Sequence, residues 1–239
     1  MYENVAANSL YVSVENMHDK SKEKEKSHIY AWGNNQNGQL SFMASGANGV
    51  NTLVMEPMSI KLQSISIIKQ VACGRAHTLI ISEHELVFAM GDNHAGQLGI
   101  SPAESRKKTN PILVEGLQQG FKVQSVHCAG DNSFALVSGT TKEHSVLYSW
   151  GSQKTGLLGK DVETMSEPFH QPTQVLFDGE GQVKVKQFST GYDHVALLTK
   201  DNGSLFLWGD NSKGQLGLNN LTTQGQPHQN SLVWPTQIE

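Results

Sequence analysis

Two histidines of this 239-residue chain lie in the matching segments Cys73-Gly-Arg-Ala-His77 and Thr190-Gly-Tyr-Asp-His194. An imidazole near carboxylates can shuttle a proton or bind a metal, and Asp131, Asp193, Asp201 and Asp210 supply carboxylates. The spacings do not carry either chemistry through. No group of Cys, His and acidic residues has the short separations that zinc ligands need. Cys73 and Cys128 form no CxxC pair and no disulfide framework. Serine, histidine and aspartate all occur, but without the Gly-x-Ser-x-Gly elbow of a nucleophilic serine. The Gly-x-Asn-x-x-Gly loops share glycines with a dinucleotide fingerprint, yet they open no helix and sit in no βαβ unit. Asp201 and Asp210 lie in turn sequences, where carboxylates are solvated. The expectation is a chain without catalytic residues, metal or cofactor, and not an enzyme. His77 and His194 then satisfy backbone groups at turns, and Ser133 stands in the histidine position of a third copy.

The elements that must position these residues repeat. Tyr30-Ala-Trp-Gly-Asn-Asn-Gln-Asn-Gly-Gln-Leu-Ser41, Phe88-Ala-Met-Gly-Asp-Asn-His-Ala-Gly-Gln-Leu-Gly99, Tyr148-Ser-Trp-Gly-Ser-Gln-Lys-Thr-Gly-Leu-Leu-Gly159 and Leu207-Trp-Gly-Asp-Asn-Ser-Lys-Gly-Gln-Leu-Gly217 read alike. Gly33, Gly91, Gly151 and Gly209 recur at a step of about 60 residues. Cys73-Gly-Arg-Ala-His77, Ala129-Gly-Asp-Asn-Ser133 and Thr190-Gly-Tyr-Asp-His194 run in step upstream, and Pro57, Pro111, Pro172 and Pro235 run in step downstream. Ala7-Asn-Ser-Leu-Tyr-Val-Ser13 resembles Asp131-Asn-Ser-Phe-Ala-Leu-Val137, so the first unit reads as a degraded copy. The units are about 1–60, 61–115, 116–176 and 177–239.

Within the last unit, 182–188 alternates as a strand and Gly191 breaks it. His194-Val-Ala-Leu-Leu-Thr199 and Ser204-Leu-Phe-Leu-Trp208 are the next strands, joined at Asp201-Asn-Gly203, whose Asn-Gly suits a two-residue turn with positive φ. A fourth strand starts at Pro235, because proline is tolerated as a strand's first residue. Four short antiparallel strands per repeat and no helical period make an all-β fold, a β-propeller with four four-stranded blades. Small residues before Gly74, Gly130 and Gly191 fit the crowded strands nearest a propeller axis. Trp32, Trp150, Trp208, Leu98 and Leu216 are expected to fill the space between blades, with Met90 in the tryptophan position of the second unit.

The Tyr/Phe-x-Trp-Gly, Asn-x-x-Gly-Gln-Leu-Gly and Gly-x-x-His elements resemble the repeats of the regulator of chromosome condensation family, over nearly the whole chain. The resemblance implies a seven-bladed propeller. Four units are fewer than seven, so the expectation is an incomplete ring whose remaining blades come from the rest of a longer chain. The resemblance also implies a place for the partner. In the family's exchange factor for the small GTPase Ran, residues at the Gly-x-x-His positions line the GTPase-binding face. Here those positions are Arg75, Ala76 and His77; Asp131, Asn132 and Ser133; and Tyr192, Asp193 and His194. Propeller symmetry gathers them at one mouth of the central channel, either as a partner-binding surface or merely as turn-stabilising residues.

Composition narrows the partner. The formal net charge is −4, and a nucleic-acid surface needs concentrated positive charge. The Lys20–Lys26 run alternates in sign and reads as a solvated loop tip, with a nuclear-import signal as the sharper alternative. No apolar run reaches the ~18 residues of a membrane span, and 1–10 has no signal-peptide pattern. The cysteine usage fits a cytoplasmic or nuclear setting. The function expected is protein–protein interaction as a scaffold or regulatory module. Nucleotide exchange on a Ran-like small GTPase is the alternative.

Overall fold

A computed structural model describes residues 2–7, 10–19, 24–41, 53–62, 65–117, 122–138, 141, 143–160, 169–177, 183–218 and 231–238, and for residues before Ile29 only the backbone. The strands are β1 (Tyr2–Ala7), β2 (Leu10–Asp19), β3 (Lys24–Asn34), β4 (Leu53–Ile60), β5 (Ile68–Cys73), β6 (His77–Ser82), β7 (Val87–Asp92) and β8 (Lys107–Leu113). They continue as β9 (Val123–Ala129), β10 (Asn132–Ser138), β11 (Ser145–Gly151), β12 (Thr173–Gln174), β13 (Val185–Thr190), β14 (His194–Thr199), β15 (Leu205–Asp210) and β16 (Ser231–Ile238). Each consecutive set of four is one antiparallel sheet whose spatial order is its chain order. The first strands of successive sheets, β1, β5, β9 and β13, adjoin one another and form the inner wall. Gly74 and Gly191 follow such inner strands at equivalent points, whereas in the third sheet Ala129 holds that point and Gly130 comes one residue later.

Three apolar cores lie between sheets, none within one. The first joins Ala31 and Val54 to Ile68, Ile80 and Met90. The second joins Leu79, Ala89 and Leu98 to Val126, Val146 and Trp150. The third joins Phe134, Leu147 and Leu157 to Val195, Phe206 and Trp208. Trp150, Trp208 and Leu98 are fully buried and Leu216 nearly so, as their spacing predicts, whereas Trp32 is only partly buried. The buried indoles keep their N–H satisfied. Trp150 Nε1 donates to the Gln97 carbonyl and Trp208 Nε1 to the Leu157 carbonyl, both at 3.0 Å, so each tryptophan reaches back to the loop of the preceding sheet.

The loop motif has a mechanical explanation. Asn35, Asn93 and Asn211 each accept, through Oδ1, the backbone N–H of Leu40, Leu98 and Leu216 at 3.0 Å. Gln39, Gln97 and Gln215 fold back to accept a backbone N–H within the same loop. The third loop has Gln153 and Leu157 at these places and forms a 3-10 turn over Lys154–Gly156 instead.

The outer strands differ from expectation. Pro57, Pro111 and Pro235 lie inside β4, β8 and β16 and do not begin them. At each, the pairing jumps. Ala31 pairs with Met58 but Gly33 with Val54, so Met55, Glu56 and Pro57 stand against Trp32 alone. The same jump sets Thr109–Pro111 against Met90 and Val233–Pro235 against Trp208. A bulge on an outermost strand needs no N–H from proline, which is why proline is tolerated there. Pro172 does precede its strand, the two-residue β12.

The Asn202-Gly203 turn is also corrected. Only Gly203, at φ +69, has positive φ, and Thr199 N–H bonds the Ser204 carbonyl across a four-residue connection. Asn202 Oδ1 holds it by accepting from Thr199 Oγ1 and Ser204 N. The inner strand of this sheet runs Val185–Thr190, shifted from the 182–188 predicted, of which residue 182 lies outside the described residues. In the Lys20–Lys26 run, 20–23 lie outside the described residues, and Lys24 to Lys26 belong to β3 and not to a loop tip. Asn8 and Ser9 are likewise outside them.

Candidate channel-mouth interface

The turn from inner strand to second strand keeps its length, with four residues between Cys73 and Thr78, Cys128 and Ser133, and Thr190 and Val195, but in the third sheet its glycine moves one residue on, so that Ala129 stands where Gly74 and Gly191 do. His77 pairs with Gly91 and His194 with Gly209, but the residue paired with Gly151 is Asn132. Asn132, and not Ser133, therefore occupies the histidine position in the third sheet. Ser133 corresponds to Thr78, and both side-chain hydroxyls donate to a loop carbonyl of the preceding sheet, Gln97 and Gln39. Asp131 then corresponds to Asp193 and Ala76. The carbonyls of these three accept the N–H of Ser152, Asp210 and Asp92, and the same carbonyls explain the glycine after Trp150, Trp208 and Met90. A Cβ on Gly91, Gly151 or Gly209 would meet them at 2.4–2.5 Å. Gly33, at φ +107, keeps the same left-handed backbone. Arg75 corresponds to Tyr192, and in the third turn Gly130 takes their place.

The glycine three residues before each histidine is also a steric requirement. A Cβ on Gly74 or Gly191 would lie 2.1 Å from Cε1 of His77 or His194. The imidazole occupies the volume that any other side chain would need.

His77 and Asn132 are buried, so neither belongs to an exposed contact surface. The reason is their position at the start of the second strand, covered by neighbouring chain. His77 Nε2 lies 2.9 Å from Ser133 Oγ, whose own hydrogen goes to the Gln97 carbonyl; the imidazole thus donates from Nε2. Burial pulls its pKa down to about 4, and the ring is neutral at pH 7. Asn132 Nδ2 donates to the Ser152 carbonyl at 2.7 Å. His194 is half-buried.

Arg75, Asp131, Tyr192 and Asp193 form the accessible part. Arg75 grips Asp131 with two parallel bonds, Nε to Oδ1 at 2.8 Å and Nη2 to Oδ2 at 2.6 Å. Arg75 N also donates to the Gly130 carbonyl, and Gly130 in turn sits against the Tyr192 carbonyl. With glycine where its neighbours carry Arg75 and Tyr192, the third turn lets both approach over it. Tyr192 is 48% exposed, large for an aromatic residue beside charges. Burial raises the pKa of Asp193, with the charges of Asp210 and Asp131 adding to it. Asp210 is held low, its partial burial outweighed by hydrogen bonds from Ser212, Gln215 and Asn211. The mouth opens on a concavity of about 560 Å³ walled by the inner strands, with Arg75 and Tyr192 among its lining residues.

Sequence reasoning missed Asp92 and His94. His94 Nδ1 bonds Asp92 Oδ2, Gln97 Nε2 donates to the same oxygen at 3.0 Å, and His94 Nε2 lies 3.6 Å from Asp131. The available signal was the polar residue after each Trp-Gly or Met-Gly glycine: Asn34, Asp92, Ser152 and Asp210. Both thiols are passive. Burial pushes Cys73 up to about 12 and raises Cys128 as well.

The model of the regulator of chromosome condensation (RCC1) repeat matches 26–81, 85–136, 145–198 and 202–239. The chain belongs to this repeat family. As matched, the first three repeats begin at the third strand of one sheet and end in the next, so each straddles a seam. Among curated relatives, probable E3 ubiquitin-protein ligase HERC4 of Rattus norvegicus is 34% identical over 75% of this chain and 16% of its own length. The X-linked retinitis pigmentosa GTPase regulator of Homo sapiens is 32% identical over 87% of this chain and 13% of its own. This chain therefore spans a small part of these relatives. Among solved structures, human WBSCR16 matches with a TM-score of 0.75 at 23% identity, over 100% of this chain and 54% of that one. Yeast RCC1 (Prp20) bound to Kap60 matches with a TM-score of 0.73 at 20% identity, over 99% of this chain and 48% of that one. The architecture is that of an RCC1-type propeller. Among the described residues no helix is long and apolar enough to cross a membrane.

Proposed function

We propose that the chain is a protein-binding propeller, a scaffold or regulatory module in the nucleus or cytoplasm, whose partner contacts Arg75, Asp131, Tyr192 and Asp193. The observation that supports it is the closure of the second and fourth turns over Gly130 of the third. It holds a cation, two carboxylates and an exposed aromatic ring on one rigid rim, and rigid mixed charge favours specific recognition and fast association. A second reading is nucleotide exchange on a Ran-like small GTPase. It draws on the relative named as a GTPase regulator and on Prp20p of Saccharomyces cerevisiae, whose structure is described with its binding to Gsp1p and histones. Exchange needs no bond-making residue, only a surface that binds the nucleotide-free GTPase best.

The test is the double variant Asp131→Ala/Asp193→Ala. Stability should change by less than about 1 kcal/mol, since the Arg75–Asp131 pair is partly solvated. Partner capture by cross-linking should fall tenfold or more, about 1.4 kcal/mol, while a charge change on the outer strand, Lys108→Ala, leaves it intact. Equal capture by both variants removes the rim from the binding surface. Release of a fluorescent GDP analogue from a Ran-family GTPase separates the two readings: acceleration lost in the double variant supports exchange, and no acceleration leaves the scaffold.

A further inference from the structure

At the seam between the second and third sheets, an imidazole stands between two carboxylates that belong to different sheets. His94 and Asp92 come from the loop after β7, and Asp131 from the turn before β10. By loop position and turn position their counterparts are Asn34, Gln36 and Ala76 at the first seam, and Ser152, Lys154 and Asp193 at the third. The repeat therefore does not demand this set of side chains; only this seam has it. Asp131 lies in another sheet, so no short spacing in the chain announces the group.

Its geometry is that of a site for a metal ion. His94 Nδ1 bonds Asp92 Oδ2, and Nε2 lies 3.6 Å from Asp131 Oδ2, beyond hydrogen-bond reach. Two ligands of one tetrahedral ion, each bound at about 2.1 Å, lie roughly 3.3 Å apart. One ligand atom from each of Asp92, His94 and Asp131 lies within 4.8 Å of the other two, so closing on an ion needs movements of about 1 Å. The His94 side chain is 41% exposed and has room to make them. The carboxylates are held in place: Gln97 Nε2 donates to Asp92 Oδ2 at 3.0 Å, and Arg75 grips Asp131. Donors of this kind orient ligating carboxylates from behind. A carboxylate accepts at about four positions, so Asp131 keeps lone pairs free beside those that Arg75 uses. Two carboxylates against one guanidinium leave a net negative charge to attract a cation. The charges of the same four side chains, Asp131, Asp92, Arg75 and His94, act on the buried His77 ring, whose Nδ1 has no partner among the described residues. A buried acceptor of this kind is matched by a water.

We propose that Asp92, His94 and Asp131 bind a divalent transition-metal ion of the zinc type, with water in the remaining positions. An imidazole with two carboxylates suits zinc, whereas magnesium and calcium take oxygen ligands alone. The ion ties the second sheet to the third at the channel mouth, and its open positions face solvent beside His94. This inference does not depend on the rim being a partner surface.

Isothermal titration of the 239-residue chain, cleared of metal with a chelator, tests it with Zn2+ alone as the probe. The unmodified chain should show a saturable site that weakens at least tenfold in His94→Ala and in Asp131→Asn. It should be unchanged in His84→Ala, which removes an exposed histidine away from the group. Acylation of His94 by diethyl pyrocarbonate, read by peptide mass spectrometry on the unmodified chain, does not depend on a variant folding. Zn2+ should protect His94 and leave His84 reactive, and Ca2+ should protect neither. Absence of a saturable site, equal zinc affinity in His94→Ala, His94 acylation indifferent to Zn2+, or equal protection by Ca2+ would each overturn the proposal.

Discussion

The second and fourth sheets carry the same Gly-x-x-His turn, yet the two histidines live in different surroundings. His77 is fully buried and bonded to Ser133 of the third sheet. His194 heads a strand in which buried and half-buried residues alternate, whereas every residue of the strand that His77 heads is buried. The local conformation is the same in both, down to the 2.1 Å approach of the ring to the glycine. What differs is the neighbour: among the described residues the second sheet is packed on both faces and the fourth on one. A motif thus dictates its own turn, while the seam beyond it decides whether the side chain is core or surface.

The largest effect should show where this difference vanishes. Trp150 and Trp208 both point back to the preceding sheet and are equally buried, so either change to Ala should cost about 3–5 kcal/mol in denaturant unfolding. If Trp208→Ala cost less than about 1 kcal/mol, the fourth sheet would not be docked on the third, and the comparison would fail.

Acid should sharpen it. His77 has a folded pKa of about 4 against 6.5 for the ordinary imidazole, so between these values the unfolded chain binds more protons. Stability therefore falls as pH drops through this window and the loss is complete below about 4, reaching roughly 3 kcal/mol for a fully buried ring. His127 is lowered to about 4 as well, by burial, and adds in the same direction. His77→Gln should flatten the curve of unfolding free energy between pH 6.5 and 4; an unchanged slope would mean that the ring is solvated.

The smallest effect is the most discriminating. Gly74→Ala should cost about 1–3 kcal/mol, because the His77 ring is enclosed and pinned and cannot yield. Gly191→Ala should cost less, since His194 can swing towards solvent. Equal losses in thermal or chemical unfolding would show that His194 is held as firmly as His77.

Much of the architecture was legible in the chain. The recurrent Trp-Gly and Asn-x-x-Gly-Gln-Leu-Gly segments are legible because backbone demands are local. A left-handed residue at Gly91 or an Asn93 carboxamide bonding Leu98 N–H leaves a residue-type signature at a set spacing. The Asn202-Gly203 turn was misread because Asn202 satisfies two donors in place, which the dipeptide alone does not disclose. Pro235 was misplaced because a bulge is a property of two strands in register. The candidate site was half visible. Arg75, Asp131, Tyr192 and Asp193 were named from periodicity, but Asp92 and His94 come from a different part of the repeat and join them only across the seam.

The chain by itself determined the repeat, the strands and the turns, because each follows from contacts a few residues apart. Only the tertiary structure decided that Asn132 and not Ser133 stands in for histidine, since the one-residue displacement of Gly130 becomes visible when His77 and Asn132 are paired with Gly91 and Gly151. It likewise decided which histidine is core. Burial depends on the sheet that packs next, and the residues that bury His77, such as Ser133, lie 56 positions away in the chain.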